Sequence, residues 1–128
     1  MGDFNSQKNR VVWVDIPVAD LERACTFYRE VLAIGVSQEQ FGDMKFAVLD
    51  HEDGNGGCLV PMPENVGQKP GILIYLNVDG RIQEAVSKVE SHGGSVEQPI
   101  HSIGPHGFRA IIRDSEGNYI ALHSNSDA

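Results

Sequence analysis

The chain has 128 residues, 41% of them hydrophobic and 22% charged, which is the composition of one globular domain and excludes a disordered chain. Eighteen Asp and Glu against ten Lys and Arg leave a formal net charge of -8. No cluster of basic residues gathers to meet a phosphate backbone or an anionic bilayer, so neither nucleic acid nor membrane is an expected partner.

No apolar run approaches the roughly 20 residues that span a bilayer, and the polar stretch of residues 1–10 lacks the apolar region of a signal peptide. A soluble, cytoplasmic protein is expected. Met1, Gly2 and Ser6 fit the short N-myristoylation pattern, but acidic Asp3 and the lack of a polybasic second anchor speak against it. Cys25 and Cys58 form no C-x-x-C pair, and two reduced thiols are the expectation for such a chain.

After the polar tail, residues 11–16 are β-branched and aromatic and are closed by Pro17, which predicts a strand. Asp20 can accept hydrogen bonds from the first turn of a helix in which Leu21, Ala24, Cys25, Tyr28, Val31 and Leu32 recur on one face. Gly35 is the expected left-handed cap of that helix. Strands are predicted at 36–40, 44–49 and 57–60, separated by Gly42-Asp43 and by the turn-rich stretch 50–56.

The proline-bearing stretch 61–71 reads as a connector. A strand at 72–78 follows, and Asp79 is placed to cap a second helix with Ile82, Ala85, Val86 and Val89 on one face and a Glu84–Lys88 pair across a turn. Gly93-Gly94 ends it. Three more strands fit 95–98, 108–113 and 119–124, the last two joined by the turn at 114–118.

Sliding Val18-Ala19-Asp20 onto Val78-Asp79-Gly80 superposes strand on strand and helix on helix, and Cys58-Leu59 then falls opposite Ala121-Leu122. The pattern predicts an α+β fold: a single domain at 11–124 made of tandem βαβββ modules, 11–60 and 72–124, behind the tail 1–10. The modules would form a cup-shaped, partly open eight-stranded mixed sheet with two flanking helices, and the cup would be the ligand site.

Residues 13–24, Trp13-Val14-Asp15-Ile16-Pro17-Val18-Ala19-Asp20-Leu21-Glu22-Arg23-Ala24, continued by Phe27-Tyr28, resemble the opening of vicinal oxygen chelate proteins. That superfamily includes glyoxalase I, bleomycin-resistance and fosfomycin-resistance proteins and extradiol dioxygenases. The stretch from Asp114 to Leu122 is similar to the family's D-P-x-G-N-x-[IL]-x-L ending, with Ser115 where proline is usual. The resemblance spans residues 11–124.

It implies a divalent metal held by one residue from the first and one from the last strand of each module, commonly His and Glu. The equivalent positions here are Trp13, Cys58, Leu73 and Ala121. Three of them carry no lone pair that an ion can use, and metal activation needs at least two or three protein donors. No cofactor is therefore expected and no metal ligand is assigned, because a divalent metal finds no support at the usual positions.

Strand alternation sends Asp15 and His123 into the same cup, the only titratable pair it places there. Within hydrogen-bond reach, Asp15 would orient His123 as a proton-transfer dyad. The alternative has Asp15 bonded to local backbone and His123 solvated on the final strand. Trp13, Leu73, Tyr75, Asn77, Tyr119 and Ala121 share the inward phase, with Cys58 beside them, and make either a wall for an uncharged or aromatic small molecule or a plugged core. His106, between glycines in Gly104-Pro105-His106-Gly107, sits on a candidate lid or on an exposed loop. His51, His92 and His101 receive no role, the glycines at 54, 56 and 57 do not continue into a phosphate loop, and no serine lies in a G-x-S-x-G setting.

Three functions fit these residues. The first is a metal-independent protein that binds a small molecule in the cup. The second is a glyoxalase-like lyase or isomerase, or a dioxygenase, that uses Asp15 and His123 with or without a displaced metal. The third is an interaction protein whose cup is filled by Trp13 and Tyr75. Edge strands that need cover make a homodimer the expected assembly.

Overall fold

The computed structural model describes residue 4 and residues 8–68 and 71–128. The candidate myristoylation residues Met1, Gly2 and Ser6 lie outside the described residues, as do Asp3 and two positions of the connector. Among the described residues eight strands and two α-helices follow one another as β1 (Val11–Val18), α1 (Leu21–Leu32), β2 (Val36–Phe41), β3 (Met44–Leu49), β4 (Gly56–Pro61), β5 (Leu73–Asn77), α2 (Ile82–Ser87), β6 (Ser95–Ser102), β7 (Phe108–Arg113) and β8 (Tyr119–Ser124). The order βαβββ occurs twice, and the pairing mixes parallel and antiparallel ladders, so the α+β class read from the residues is the observed one. No helix of the described residues is long and apolar enough to cross a membrane.

The chain divides into two compact units, residues 14–72 and residues up to 13 together with 73–128, with the division falling inside β1. In the first unit the strand order is β2-β3-β4-β1. β2 and β3 form a hairpin running from Val36↔Leu49 to Phe41↔Met44, turned at Gly42 in the left-handed region. The core joins Val18, Cys25, Ala47 and Leu59, with Ile16, Leu21, Ala24, Tyr28, Val36 and Leu49 packed against it. Gly57 is demanded by close approach, since a Cβ there would collide with the carbonyl oxygen and Cγ1 of Val14.

Asp20 caps α1 as its position predicts, accepting from the Arg23 amide at 3.1 Å. The other end differs from expectation. Ala33, not Gly35, takes the left-handed conformation (φ 54°), and its amide reaches back to the Arg29 carbonyl. Gly35 is already committed to the strand side, where its carbonyl accepts from the Asp50 amide at 3.0 Å. Val31 and Leu32 were expected on the buried face, yet they are 63% and 49% exposed. β2 is exposed from Ser37 to Phe41 and joins the core only through Val36, so the last turn of the helix stays uncovered.

In the second unit the order is β1-β5-β8-β7-β6. β5 and β8 run parallel with Tyr75↔Ala121 and Asn77↔His123, and β7 is antiparallel to β8 with Arg109↔His123 and Ile111↔Ala121. β6 continues four residues past the expected end at Gln98. Two register shifts against β7, between Val96 and Gln98 and between Gln98 and His101, let the strand carry Pro99, which has no amide hydrogen to donate.

α2 is shorter than predicted and is not capped by Asp79. Its N-cap is Arg81, without a side-chain hydrogen bond. Asp79 instead accepts from the Asn125 amide at 2.7 Å and from Ser124 Oγ at 3.4 Å, which ties down the chain after β8. The expected Glu84–Lys88 pair is replaced by Arg81–Glu84 at 2.6 Å, because Lys88 is already the C-cap residue of this short helix. Gly93, expected to end α2, instead closes the separate 3-10 turn Glu90–His92, at φ 92°. Ala85 and Val89 face Ile112 and Leu122 across a shallow apolar groove, so α2 covers one face of this unit's strands. The other face carries the site.

Candidate functional site

Parallel and antiparallel cross-strand partners lie on the same face of a sheet. The registers therefore place Tyr75, Ala121 and Ile111 in one row, and Asn77, His123 and Arg109 in the next. Among the described residues no helix covers this face, yet Trp13 and Tyr75 are only 3% and 2% exposed and His123 is fully buried. Part of the cover is the ring of Phe4. It stacks on Trp13 with centroids 4.6 Å apart and planes 25° apart, and on His123 at 4.3 Å and 13°. It is tilted against Tyr75 at 5.5 Å and His106 at 5.7 Å. Phe4 is sandwiched between an indole and an imidazole.

The chemistry of His123 follows from its hydrogen bond to the turn at 104–106. Nε2 lies 2.6 Å from the His106 carbonyl oxygen. A carbonyl only accepts, so Nε2 carries the proton and Nδ1 is a bare lone pair. Nδ1 is buried and has no hydrogen-bond partner among the described residues. Burial pushes the imidazole pKa below its ordinary value, opposed by the His106 carbonyl and the charge of Asp79. His123 is thus a neutral ring with an unsatisfied acceptor, and not the solvated imidazole of the plainer expectation.

The dyad expected of Asp15 and His123 is not the bond His123 makes. Asp15 belongs to the other compact unit, where its Oδ1 accepts from the Cys58 thiol at 3.2 Å. Cys58 is buried there on β4.

Arg109 brings the positive charge to the face. Nη1 donates to Tyr75 Oη at 2.5 Å, and Nε donates to His101 Nε2 at 3.0 Å. His101 can accept at Nε2 because its Nδ1 donates to the Pro99 carbonyl at 2.8 Å, which fixes the tautomer. The guanidinium carbon sits 6.0 Å from the Tyr75 ring centroid. The chain from Pro99 through His101 and Arg109 holds the Tyr75 hydroxyl in place.

Of the ligand-binding residues expected from the sequence, Trp13, Tyr75 and His106 come together around Phe4, and His123, expected as catalytic, joins them. Ala121 is buried in the same row as Tyr75. Leu73 and Tyr119 share the face further along, where Tyr119 lies beneath the Arg113 guanidinium at 5.1 Å. Asn77 spends its side chain on the backbone: Nδ2 donates to the Asn9 carbonyl at 2.8 Å and Oδ1 accepts from the Asp79 amide at 2.9 Å. The expected lid is pinned. Gly104–His106 forms a single 3-10 turn, Ile103 donates to the Gly107 carbonyl at 2.8 Å, and His123 holds the His106 carbonyl. A Cβ on Gly107, at φ 98°, would press on the Ser124 carbonyl.

Phe4, His101 and Arg109 were not singled out in the sequence. Arg109 was legible in principle, since it falls opposite His123 once β7 and β8 are paired through the turn at 114–118. His101 depends on the irregularity of β6, and Phe4 offered only the signal of one aromatic residue in a polar tail.

The donor set does not fit the divalent metal implied by the resemblance. At the four equivalent positions the Trp13 indole is in a ring stack, Leu73 and Ala121 are hydrocarbon, and the Cys58 thiol is bonded to Asp15. Among the described residues no group of three or more His, Cys, Asp and Glu side chains could hold an ion.

Comparison with known proteins places this geometry. Solved structures similar to it include a hypothetical protein from Bacillus halodurans C-125, with 18% identity over 95% of this chain and 98% of that one and a TM-score of 0.71. A glyoxalase/bleomycin resistance protein/dioxygenase superfamily member from Vibrio splendidus 12B01 is 18% identical over 90% and 97%, with a TM-score of 0.67. Methylmalonyl-CoA epimerase from Mycobacterium tuberculosis is 20% identical over 90% and 87%, with a TM-score of 0.63. At these identities the likeness is one of fold. A search of curated proteins gave no match. The sequence profile of one family matches residues 10–122, nearly the whole of the doubled βαβββ order, and so this chain belongs to the Glyoxalase/Bleomycin resistance protein/Dioxygenase superfamily.

Proposed function

We propose that this protein binds a small uncharged or aromatic molecule on the face that carries Trp13, Tyr75, His106 and His123, without the divalent metal usual in its superfamily, and that it does so as a cytoplasmic homodimer. The observation that carries the reading is the buried ring cluster around Phe4. It stands where one of the implied metal donors, Trp13, would be, and it contains one unsatisfied acceptor, His123 Nδ1. A mostly apolar, aromatic wall with few polar groups is the common form of a small-molecule site. Superfamily membership supports binding of a small molecule without choosing it.

The test is a thermal-shift screen of metabolites and aromatic antibiotics, run on protein treated with chelator and on protein loaded with divalent metal. A ligand at a hundred times its dissociation constant stabilises the native state by about 2.7 kcal/mol, a shift of several degrees. The same compounds should stabilise both preparations. No stabilisation by any compound would overturn the proposal. A stoichiometric divalent ion that is lost in His123→Ala would replace it with the enzyme reading, a lyase, isomerase or dioxygenase working through Asp15 and His123.

A further inference from the structure

The ring of Phe4 has a ligand's surroundings and a tail residue's attachment. Trp13, Tyr75 and His123 stand on β1, β5 and β8, each held by strand pairing and buried. Phe4 belongs to the polar stretch that precedes β1, outside any strand, and is only half-buried. Its two stacks, on Trp13 at 4.6 Å and on His123 at 4.3 Å, have the spacing of parallel aromatic rings, and two further rings, Tyr75 and His106, close the sides. The walls are made by the fold and the filling is not.

We infer that Phe4 is a displaceable internal occupant of an aromatic slot between Trp13 and His123, and that the slot's external ligand is a planar aromatic ring with a flexible arm that ends in an O–H or N–H donor. The binding step is an exchange of rings: Phe4 leaves the sandwich and the ligand takes its stacks. A phenyl ring cannot satisfy His123 Nδ1, which is left buried without a partner. That lone pair lies in the imidazole plane, below the plane of a stacked ring, so a donor on a flexible arm that bends out of the ligand's ring plane to the imidazole edge would satisfy it. Arg109, across from His123 and bonded to Tyr75, keeps the slot's tyrosine oriented during the exchange. The inference rests on the binding function proposed above and adds the class of ligand and the device that gates it.

The chain contains a single tryptophan, and it is a wall of the slot, so its emission reports occupancy directly. The experiment compares wild type with Phe4→Ala and Phe4→Leu, each checked for native far-UV circular dichroism. Without ligand, both variants should show red-shifted Trp13 emission and stronger acrylamide quenching; emission and quenching equal to wild type would mean that Phe4 does not cover Trp13 and would overturn the inference. With 2-(3-nitrophenyl)ethanol as the probe, quenching of Trp13 should give about tenfold tighter binding to Phe4→Ala than to wild type, the return on two aromatic stacks no longer competed for. In Phe4→Ala, the methyl ether of that probe, which lacks the O–H, should bind about fivefold more weakly than the alcohol, the worth of one hydrogen bond.

Equal affinity of wild type and Phe4→Ala for the probe would sink the exchange while leaving the binding function standing. The same holds if only non-aromatic compounds stabilise the protein in the wider screen. Failure of every compound in both preparations is the separate result that removes the binding function itself.

Discussion

A neutral imidazole enclosed among rings leaves a mark on how stability depends on acidity. Burial holds the His123 pKa down, whereas in the unfolded chain it returns to about 6.5. Below that value the unfolded state takes up a proton that the folded state resists, so the unfolded state binds more protons and stability falls as pH falls. The contribution is fully present above about 6.5 and is lost progressively towards the depressed folded value. Thermal melts of wild type from pH 8 to pH 5 should therefore show a drop at the acid end that is smaller in His123→Gln. Parallel curves for the two proteins would mean that His123 is not held neutral. The role of this residue was only half legible in the sequence. Alternation in β8 gave its face correctly, but its partner, the carbonyl of His106, is seventeen residues away in a turn that no local pattern assigns to it.

Elements whose ends are written in nearby residues were read well, and those settled by distant contacts were not. β3, β7 and β8 fall on their expected bounds, and the turn between the last two is built by its own residues. Asp114 accepts from the Asn118 amide at 2.9 Å and from Asn118 Nδ2 at 3.0 Å, and from the Glu116 amide at 2.9 Å, and these bonds, those from Asn118 foremost, hold its carboxyl below the usual range. The left-handed end of α1 at Ala33 and the passage of β6 across Pro99 depend on neighbouring strands, where propensity points elsewhere. Two substitutions separate these influences by chemical denaturation. Asp20→Ala removes the cap of α1 and should cost about 1 kcal/mol. Gly57→Ala drives a methyl group into β1 and should cost about 1–3 kcal/mol through overpacking. A Gly57→Ala protein as stable as wild type would show that β1 and β4 can separate without loss.

The doubled βαβββ order was visible in the whole chain because strand, helix and turn signals recur with the same offsets. What was not visible is that Phe4 joins the candidate site, since it meets Trp13 and His123 by ring stacking that no sequence pattern marks. The proposed homodimer is argued at this scale. β2 and β6 each pair on one side only, and α1 leaves Phe27, Val31 and Leu32 exposed on its surface. Edges and apolar surface of this kind are covered when a second copy pairs with the first. Sedimentation equilibrium at micromolar concentration should give the mass of two chains, shifted towards one by Val31→Glu. A wild-type mass of one chain removes the dimer.

The crooked course of β6 has a cost and a return that fall in different places. A straight strand would lie more evenly against β7, but the Pro99 carbonyl would have no reason to meet the ring of His101. That ring would be free to turn over, and Arg109 would lose the acceptor that steadies it. Loosened weaving at the rim thus becomes rigidity at a tyrosine hydroxyl deeper in, and a homologue with a more regular rim would aim its cation less firmly.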